Sequence, residues 1–243
     1  MPNYNSAPYL SETIDSIIHQ TFKNWKLTIV DGNSNIETKK ILKKYENNPN
    51  INIIWLKKNK RAGFCRNLGI RNSKSEYIAF IDSDDVWEKE KLSKQLDFMI
   101  KNKYYFTYTN YHSFKSEEKQ SNLKEIKPAK YFNFEKFIRN TSIATSTMII
   151  KKTSIGTTKF SNTKICEDYF FKCQILKKVN IAHCLSENLT KYRIRKDSLQ
   201  SNKIRNLYWI WYINKNYNKL NFLDNLISLL YISINSLKKY GFK

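Results

Sequence analysis

Glycine is scarce in this chain, and long apolar runs are missing. The 243 residues include only 5 glycines, so a glycine-rich phosphate-binding loop is not expected. No apolar stretch reaches the roughly 20 residues that cross a bilayer. Residues 1–20 also lack the basic start and apolar block of a signal peptide. We therefore expect a cytoplasmic protein.

Acidic residues are also few. Asp and Glu total 21 against 43 Lys and Arg, which gives a formal net charge of +22. Such a surface attracts the phosphates of nucleic acids, anionic lipids or phosphorylated substrates. The lysines are scattered, however, and neither a nucleic-acid-reading module nor a concentrated basic stripe is evident. We therefore expect no nucleic-acid partner.

Cysteine is limited to four positions, and none has the paired short spacing of a zinc site. We predict reduced, partly buried thiols. The 41% of hydrophobic residues supports a packed core, and the length suits one substantial domain with an appendage. The predicted boundaries are 1–203 for the main domain and 204–243 for a C-terminal helical extension.

The N-terminal half alternates strand and helix patterns, which predicts βαβ units and a mainly parallel sheet flanked by helices. Predicted strands cover 27–30, 51–56, 77–81, 104–111, 147–150 and 181–193. Predicted helices cover 9–20, 36–45, 65–72, 85–101 and 166–178, and the chain is predicted helical from 204. Residues 116–130 are predicted as a loop.

One buried strand ends abruptly in acidic residues. The apolar run Tyr77-Ile78-Ala79-Phe80-Ile81 precedes Asp82-Ser83-Asp84-Asp85. Carboxylates this close repel one another unless a positive charge compensates them. A divalent cation with oxygen ligands, Mg²⁺ or Mn²⁺, is one solution, and open α/β sheets bind ligands at this strand end. The other interpretation is that Asp84 or Asp85 caps a helix starting near Trp87.

In their order and spacing, a set of short motifs resembles the family 2 glycosyltransferases of the GT-A fold, bacterial enzymes that use nucleotide-sugar donors. The resemblance is close across 2–110 and recognisable to Ser201. The matching motifs are Pro2-Asn3-Tyr4-Asn5, Leu10, Gln20-Thr21-Phe22, Val30-Asp31, Arg66-Asn67-Leu68-Gly69-Ile70, Glu76-Tyr77-Ile78-Ala79-Phe80, Asp82-Ser83-Asp84-Asp85-Val86-Trp87, Glu167-Asp168, Tyr192-Arg193 and Asp197-Ser198.

The resemblance implies a role for each matched side chain. Asp84, with Asp82, would hold the metal in an Asp-X-Asp motif. Asp168 would be the base that activates the acceptor, with Glu167 as its neighbour or substitute. Donor contacts would come from Pro2, Tyr4, Asn5, Asp31, Arg61, Arg66, Asp82, Ser83 and Arg195.

Each of these positions also has a structural interpretation. Asp31 could cap the turn after its strand, and Arg66 could be a surface charge. Glu167 and Asp168 could be first-turn acids favoured by the helix dipole. Arg193 and Arg195 could be solvated, or could lie on a loop that closes over a diphosphate.

The chain departs from the family pattern in two places. The family begins with an apolar strand just before the Pro-Asn-Tyr-Asn segment, and here Met1 stands where that strand should be ending. We therefore expect the first strand to be missing. Gly32 stands where the family commonly has a second aspartate, which leaves the nucleotide base less determined.

The predicted function is inverting, metal-dependent transfer of a hexose from a nucleotide-diphosphate sugar during synthesis of a capsule or lipopolysaccharide-type surface polymer. The predicted donor is UDP-linked. The acceptor would be a saccharide or lipid-linked saccharide. Three alternatives stay open: a nucleotidyltransferase, a basic nucleic-acid-binding protein and a truncated, inactive transferase. Aromatic and aliphatic residues interspersed with lysines in 204–240 predict either an interfacial helix on the inner membrane face or a helix packed on the catalytic domain.

Overall fold

The computed structural model describes residues 1–115, 123–195 and 202–240, with no side-chain detail at 239 and 240. Asp197 and Ser198, which carry part of the family resemblance, and Ser201, where it ends, lie outside these ranges. The strands are β1 Pro2–Asn3, β2 Leu27–Asp31, β3 Ile51–Trp55, β4 Tyr77–Ala79, β5 Val86–Trp87, β6 Phe106–Lys115, β7 Lys124–Ile126, β8 Tyr131–Phe132, β9 Ile149–Lys151 and β10 Ala182–Ile194. The helices are α1 Ala7–Ile18, α2 Ile36–Lys43, α3 Ala62–Asn72, α4 Lys91–Lys101, α5 Phe134–Phe137, α6 Lys152–Ile155, α7 Glu167–Val179, α8 Lys203–Ile213 and α9 Phe222–Tyr240.

The described strands form two sheets. The first is parallel, in the order β1-β2-β3. The second has the order β4-β9-β6-β10-β5, with β7 beside β6 and β8 beside β10. Only β6 and β10 pair in parallel in this second sheet. The α/β class with flanking helices is confirmed, while the larger sheet is mixed because β5, β7, β8 and β9 pair antiparallel.

Two apolar clusters form the core. One lies around the first sheet and buries Leu10 and Ile14 of α1 against Ile29 of β2. Their spacing of four residues puts Leu10 and Ile14 on one face of the helix. The other lies between the second sheet and α7, where the Phe160 and Phe171 rings stack with centroids 4.0 Å apart. Both clusters together fix the elements that carry the acidic residues.

The predicted helix 85–101 is wrong at its start. α4 begins at Lys91, and Val86 and Trp87 instead pair with Lys191 and Thr190 of β10. Asp84 and Asp85 are therefore not caps of this helix, because its N-cap residue is Glu90. The predicted strand 147–150 likewise begins later, at Ile149, after a 3₁₀ turn over Thr145–Thr147.

The first strand is reduced to a short pairing. Pro2 and Asn3 lie parallel to Val30 and Asp31 at one edge of the first sheet. The Met1 ammonium donates to the carbonyl of Thr28 over 2.9 Å. Burial lowers the pKa of this amine to about 5. The chain start is therefore anchored against β2.

The C-terminal helices pack on the main domain. Ile210 and Ile213 of α8 and Ile232 of α9 belong to the core cluster around α7. Among the described residues, no helix combines the length and the apolar character needed to cross a membrane. All four cysteines are free thiols, as predicted.

Candidate active site

The turn after β4 presents the acidic residues. Phe80 and Ile81 continue β4 into the core, and the amide of Asp85 then donates to the Asp82 carbonyl over 3.2 Å. This bond closes a tight turn. The Ser146 hydroxyl accepts the amide of Asp82 over 3.0 Å and donates to Oδ2 of Asp85. The turn is therefore held by a residue more than sixty positions away.

Arg66 joins the two acidic segments that the sequence singles out. Its two terminal nitrogens reach Oδ1 of Asp82 at 2.6 Å and Oε1 of Glu167 at 2.9 Å. The guanidinium is buried and lies 5.3 Å from the centroid of the Phe160 ring. Burial alone would lower the pKa of Arg66, but Asp82 and Glu167 raise it above its ordinary value. Arg66 is thus not a solvated surface charge.

A glycine allows α3 to approach the start of α7. A Cβ atom at Gly63 would lie 2.8 Å from Cγ of Glu167 and 3.1 Å from the Ser161 carbonyl. Real Cβ atoms essentially never approach to 2.8 Å, and 3.1 Å is tighter than nine in ten of their contacts. The small residue is therefore needed for Arg66, one turn later on the same helix, to reach Glu167.

A left-handed residue begins α7. Cys166 has φ 61° and is the N-cap residue of this helix. Its conformation, uncommon for a residue other than glycine, turns the chain so that Glu167 and Asp168 occupy the first helical turn. Glu167 faces Arg66. The two acids are first-turn residues, as the structural interpretation held, and they also have specific cationic partners.

Asp168 has a cation of its own. Oδ2 accepts from the Lys172 ammonium at 2.8 Å and from the Thr145 hydroxyl at 3.2 Å. Lys172 is buried and also donates to the Ile143 carbonyl over 2.8 Å. Burial alone would raise the pKa of Asp168, but Lys172 lowers it to about 2. Asp168 is therefore ionised at neutral pH. For Glu167 the balance is opposite, because burial raises its pKa despite the opposing charge of Arg66.

Two arginines from β10 and the residues after it close the other side of the turn. Arg193 donates from Nε to the carbonyl of Asp84 over 2.8 Å, and its amide donates to Oδ1 of Asp85 over 2.9 Å. Its guanidinium also pairs with Glu12 of α1. Arg195 lies 3.4 Å from Oδ2 of Asp84. Neither arginine is simply solvated.

The carboxylates of the turn are incompletely compensated. Burial, followed by the charge of Asp82, raises the pKa of Asp84 to about 6. Burial raises the pKa of Asp85 well above its ordinary value, and the charges of Asp84 and Asp82 add to this. An added cation would relieve the repulsion among these groups.

Two oxygen-donor side chains fit a hard divalent cation that takes its remaining ligands from phosphate and water. Asp82 and Asp84 keep partly exposed side chains and are the residues that would hold it. Within 1–115, 123–195 and 202–240, no group of three or more His, Cys, Asp or Glu side chains could bind a metal by itself.

Asp31 supports a loop in the first sheet. It is fully buried, and Oδ1 accepts from the Asn3 amide group at 2.7 Å and from the Ser34 hydroxyl at 2.6 Å. Ser34 also accepts the amide of Asn5 over 2.9 Å. Asp31 is thus the turn-stabilising residue of the structural interpretation, and its predicted donor contact stays a prediction.

The other predicted donor residues lie in different surroundings. Tyr4 is half exposed beyond the two-residue strand that holds Pro2. Ser83 is partly exposed in the acidic turn. Arg61 donates to the Asn162 carbonyl over 3.2 Å and lines a cavity of about 410 Å³ beside α3. This cavity is bounded by Asn59, Lys60, Arg61, Phe64, Ser161 and Asn162.

Several site residues escape sequence reasoning. Lys172, Thr145 and Ser146 each bond an acidic residue, yet none belongs to a motif quoted above. Thr145 and Ser146 have one local signal in the sequence, because Thr145-Ser146-Thr147 is a polar run before an apolar strand. Two further side-chain contacts span long sequence separations: Glu12 accepts from Arg193, and Asn3 donates to Asp31.

The chain resembles known glycosyltransferases over nearly its whole length. A protein of Escherichia coli, UDP-Glc:alpha-D-GlcNAc-diphosphoundecaprenol beta-1,3-glucosyltransferase WfaP, is 32% identical over 244 residues, 98% of this chain and 93% of that protein. Another Escherichia coli protein with the same description, WfgD, is 29% identical and covers 100% and 94% of the two chains.

Solved structures share the fold. S. aureus TarS 1-349 in complex with UDP-GlcNAc aligns with a TM-score of 0.74 and 20% identity, over 98% of this chain and 71% of that chain. The mannosyltransferase PcManGT from Pyrobaculum calidifontis, in complex with GDP-Man and Mn²⁺, aligns with a TM-score of 0.69 and 13% identity, over 100% and 74%. Residues 1–170 match the family model described as Glycosyl transferase family 2, and the chain therefore belongs to that family.

Proposed function

We propose that this protein is an inverting glycosyltransferase that moves a sugar from a UDP-sugar to a saccharide or lipid-linked saccharide acceptor. The observation that carries the proposal is the Arg66 bridge. The Arg66 guanidinium pairs with Asp82 of the Asp-X-Asp turn and with Glu167, which precedes Asp168 in the chain. This arrangement supports a donor-side role for the acidic pair and an acceptor-side role for Asp168 in a family 2 chain.

Asp168 is the proposed base. An acceptor hydroxyl is a poor nucleophile until a carboxylate takes its proton. Asp168 is ionised, and the Lys172 and Thr145 bonds to Oδ2 fix the orientation of the carboxylate. We assign Glu167 as its neighbour, because the guanidinium that bonds Glu167 also bonds Asp82 on the donor side. A single base on the acceptor side would support direct displacement with inversion at the anomeric carbon.

Asp82 and Asp84 are the proposed holders of Mn²⁺ or Mg²⁺. When bound, the cation supplies positive charge that offsets the growing negative charge of the departing diphosphate. Arg195 lies beside Asp84 and Arg61 faces the cavity at the start of α3. We assign both to donor phosphate contacts, together with Pro2, Tyr4, Asn5, Asp31, Arg66 and Ser83 as donor-side residues.

The names of the relatives support the donor and acceptor classes. WfgD and WfaP are named for UDP-Glc and for a diphosphoundecaprenol-linked acceptor. A similar lipid-linked acceptor for this chain would place the reaction at the cytoplasmic membrane face, in surface-polymer synthesis. The main domain, 1–203, would then hold the chemistry, and the helices from 204 onward would lie beside it.

A transfer assay tests the proposal. The full chain is incubated with UDP- and GDP-sugars, a synthetic lipid-diphosphate saccharide, and Mn²⁺, Mg²⁺ or excess chelator. We expect transfer from a UDP-sugar, loss of activity in chelator, and a product of inverted anomeric configuration by NMR. Asp84→Asn should be inactive, while the exposed Asp97→Asn should match the wild type. Full activity in chelator, or retained configuration, would contradict the proposal.

A further inference from the structure

Helix α9 faces the protein with polar side chains. Asn225 and Ser228 are buried on its inner side. Ser228 donates to the Ile138 carbonyl over 2.6 Å, and Asn225 donates to the Trp211 carbonyl and accepts from Asn214, each over 3.1 Å. Hydrogen bonds therefore account for much of the attachment of this helix.

Its opposite side is apolar and faces water. Leu223, Leu226, Leu230 and Ile234 recur every three or four residues, which places them on one face of the helix. Each is at least 41% exposed, and Leu223 reaches 64%. We call these four residues the α9 outer face. A surface helix normally turns such residues to the core, whereas α9 keeps these four outward in addition to the inward-facing Ile232.

More exposed apolar residues lie in the same C-terminal segment. Ile204 and Tyr208 on α8 and Tyr217 after it are exposed, as are Phe222 and Tyr231 at the margins of the α9 outer face. Tyrosines with one apolar side and one polar end suit a boundary between water and hydrocarbon. Exposed apolar residues in this segment are thus not confined to α9.

The charge of this segment is strongly one-sided. Residues 202–240 contain one acidic side chain, Asp224, and exposed lysines at Lys203, Lys215, Lys219 and Lys238. With the net charge of +22 for the chain, this favours an anionic partner. A second copy would bring two such charges together and would be repelled.

We infer that the α9 outer face docks on the surface of a bilayer that contains anionic phospholipid. The helix would lie in the membrane plane, with the lysines near lipid phosphates and the leucines at the acyl boundary. The role of this docking rests on the proposed function, because the proposed lipid-linked acceptor lies at the membrane surface. The polar inner face would keep α9 attached to the domain during docking.

Vesicle co-sedimentation of the full chain tests this inference. Vesicles of phosphatidylcholine with and without phosphatidylglycerol are compared at low and high salt. We expect binding to the anionic vesicles that weakens with salt. The variant Leu226→Glu/Leu230→Glu should lose about tenfold or more in affinity, because two apolar contacts are removed and two negative charges added.

A matched double variant controls for the charge change. Ile36→Glu/Ile100→Glu adds the same two charges at exposed apolar residues on α2 and α4 and should bind vesicles much more tightly than the α9 variant. Circular dichroism melting of both variants reports whether they are folded. Wild-type protein that ignores anionic vesicles, or an α9 variant that binds as well as the control, would overturn the inference. So would a wild-type dimer that the α9 variant dissociates.

Activity separates this inference from the proposed function. With a water-soluble saccharide acceptor, the α9 variant and the wild type should turn over equally, whereas transfer to a vesicle-embedded acceptor should fall only in the variant. Equal loss with both acceptors would contradict a docking role. A wild type that transfers no sugar but binds anionic vesicles through α9 would refute the proposed function and leave the docking surface supported.

Discussion

Lys172 stands one helical turn after Asp168 and donates to its carboxylate over 2.8 Å, with its own side chain only 3% exposed. The pair lies on α7, so its spacing is fixed by the helix itself. A second bond, to the Ile143 carbonyl, keeps the ammonium from turning away. The ionised state and the orientation of the proposed base thus depend on this lysine.

Replacing Lys172 by methionine should move the acidic limb of the kcat/KM profile. Asp168 has a pKa of about 2 in the folded protein, below its ordinary value, so it stays ionised down to that pH. Other charges near Asp168 are those of Arg66 and Glu167. Without the ammonium, the effect of burial on the pKa is opposed mainly by the more distant charge of Arg66, and we expect the limb to rise by roughly one pH unit or more.

Lys172→Arg is the matched control, because it keeps the cation. It should retain a profile closer to that of the wild type. The same depressed pKa makes Asp168 stabilising above pH 4 and progressively less so as the pH falls towards 2. Urea unfolding across this range should show the loss in the wild type and a smaller slope in Lys172→Met. Identical profiles in all three proteins would contradict the positioning role.

Gly63→Ala should disturb the site, while Gly69→Ala on the same helix should not. At Gly63 the new methyl group would lie 2.8 Å from Glu167, whereas at Gly69 nothing lies within 4 Å. Overpacking at Gly63 should lower the free energy of unfolding by about 1–3 kcal/mol. Alanine at the open helix position of Gly69 should raise it by about 0.5–1 kcal/mol. Urea melts measure both, and transfer activity should fall only in Gly63→Ala.

Arg66→Met should lower stability strongly. It leaves Asp82 and Glu167 without their shared cation, and breaking a buried ion pair from one side costs about 3–5 kcal/mol. Arg71→Met, at an exposed position of the same helix, should stay within about 0.5 kcal/mol of the wild type. Denaturant midpoints compare the two. Equal midpoints would show that the Arg66 pairs contribute nothing to folding.

Lys91→Met should stabilise the protein. The Lys91 ammonium is fully buried over the Trp87 ring, at 3.8 Å from its centroid, and has no hydrogen-bond partner among the described residues. Burial lowers its pKa well below the ordinary value. We expect a gain of about 1–3 kcal/mol at neutral pH, because the buried amine must either keep its charge without a hydrogen-bond partner or give up its proton on folding, and both cost free energy.

The pH dependence of unfolding provides the check for Lys91. The unfolded chain binds this proton up to about pH 10, while the folded protein releases it at lower pH. Wild-type stability should therefore rise with pH between the folded and the unfolded pKa. Lys91→Met should remove that rise. A parallel rise in both proteins would assign it to other groups.

The residues that sequence could identify are those whose signal is local. The apolar run before Asp82 and the acidic pair at 167–168 stand in short motifs, and both lie in the site. The helix predicted from 85 could not be placed correctly, because Val86 and Trp87 are drawn into pairing with β10, more than a hundred positions away. Asp85 looked like a helix cap but is fixed by Ser146 and the amide of Arg193.

The sequence patterns also do not show which charged side chains pair with one another over long distances in the chain. Lys172 is one lysine among many in a strongly basic chain, and nothing in its neighbours distinguishes it from a solvated charge. The helix predicted over 166–178 places it one turn after Asp168, but only the tertiary fold buries it and brings it to Ile143. Arg193 similarly meets Glu12 across 181 positions. Contacts of this range follow from the sheet order, which strand and helix patterns do not specify.

The backbone of Cys166 sets a condition on any redesign of this enzyme. The residue adopts a left-handed conformation, and this turn sets the directions in which the side chains of Glu167 and Asp168 point. Glycine or asparagine could replace the cysteine at little cost, whereas valine or isoleucine would strain the turn because branching at Cβ disfavours positive φ. A programme that exchanges the acids for new chemistry should therefore keep a tolerant residue in front of them.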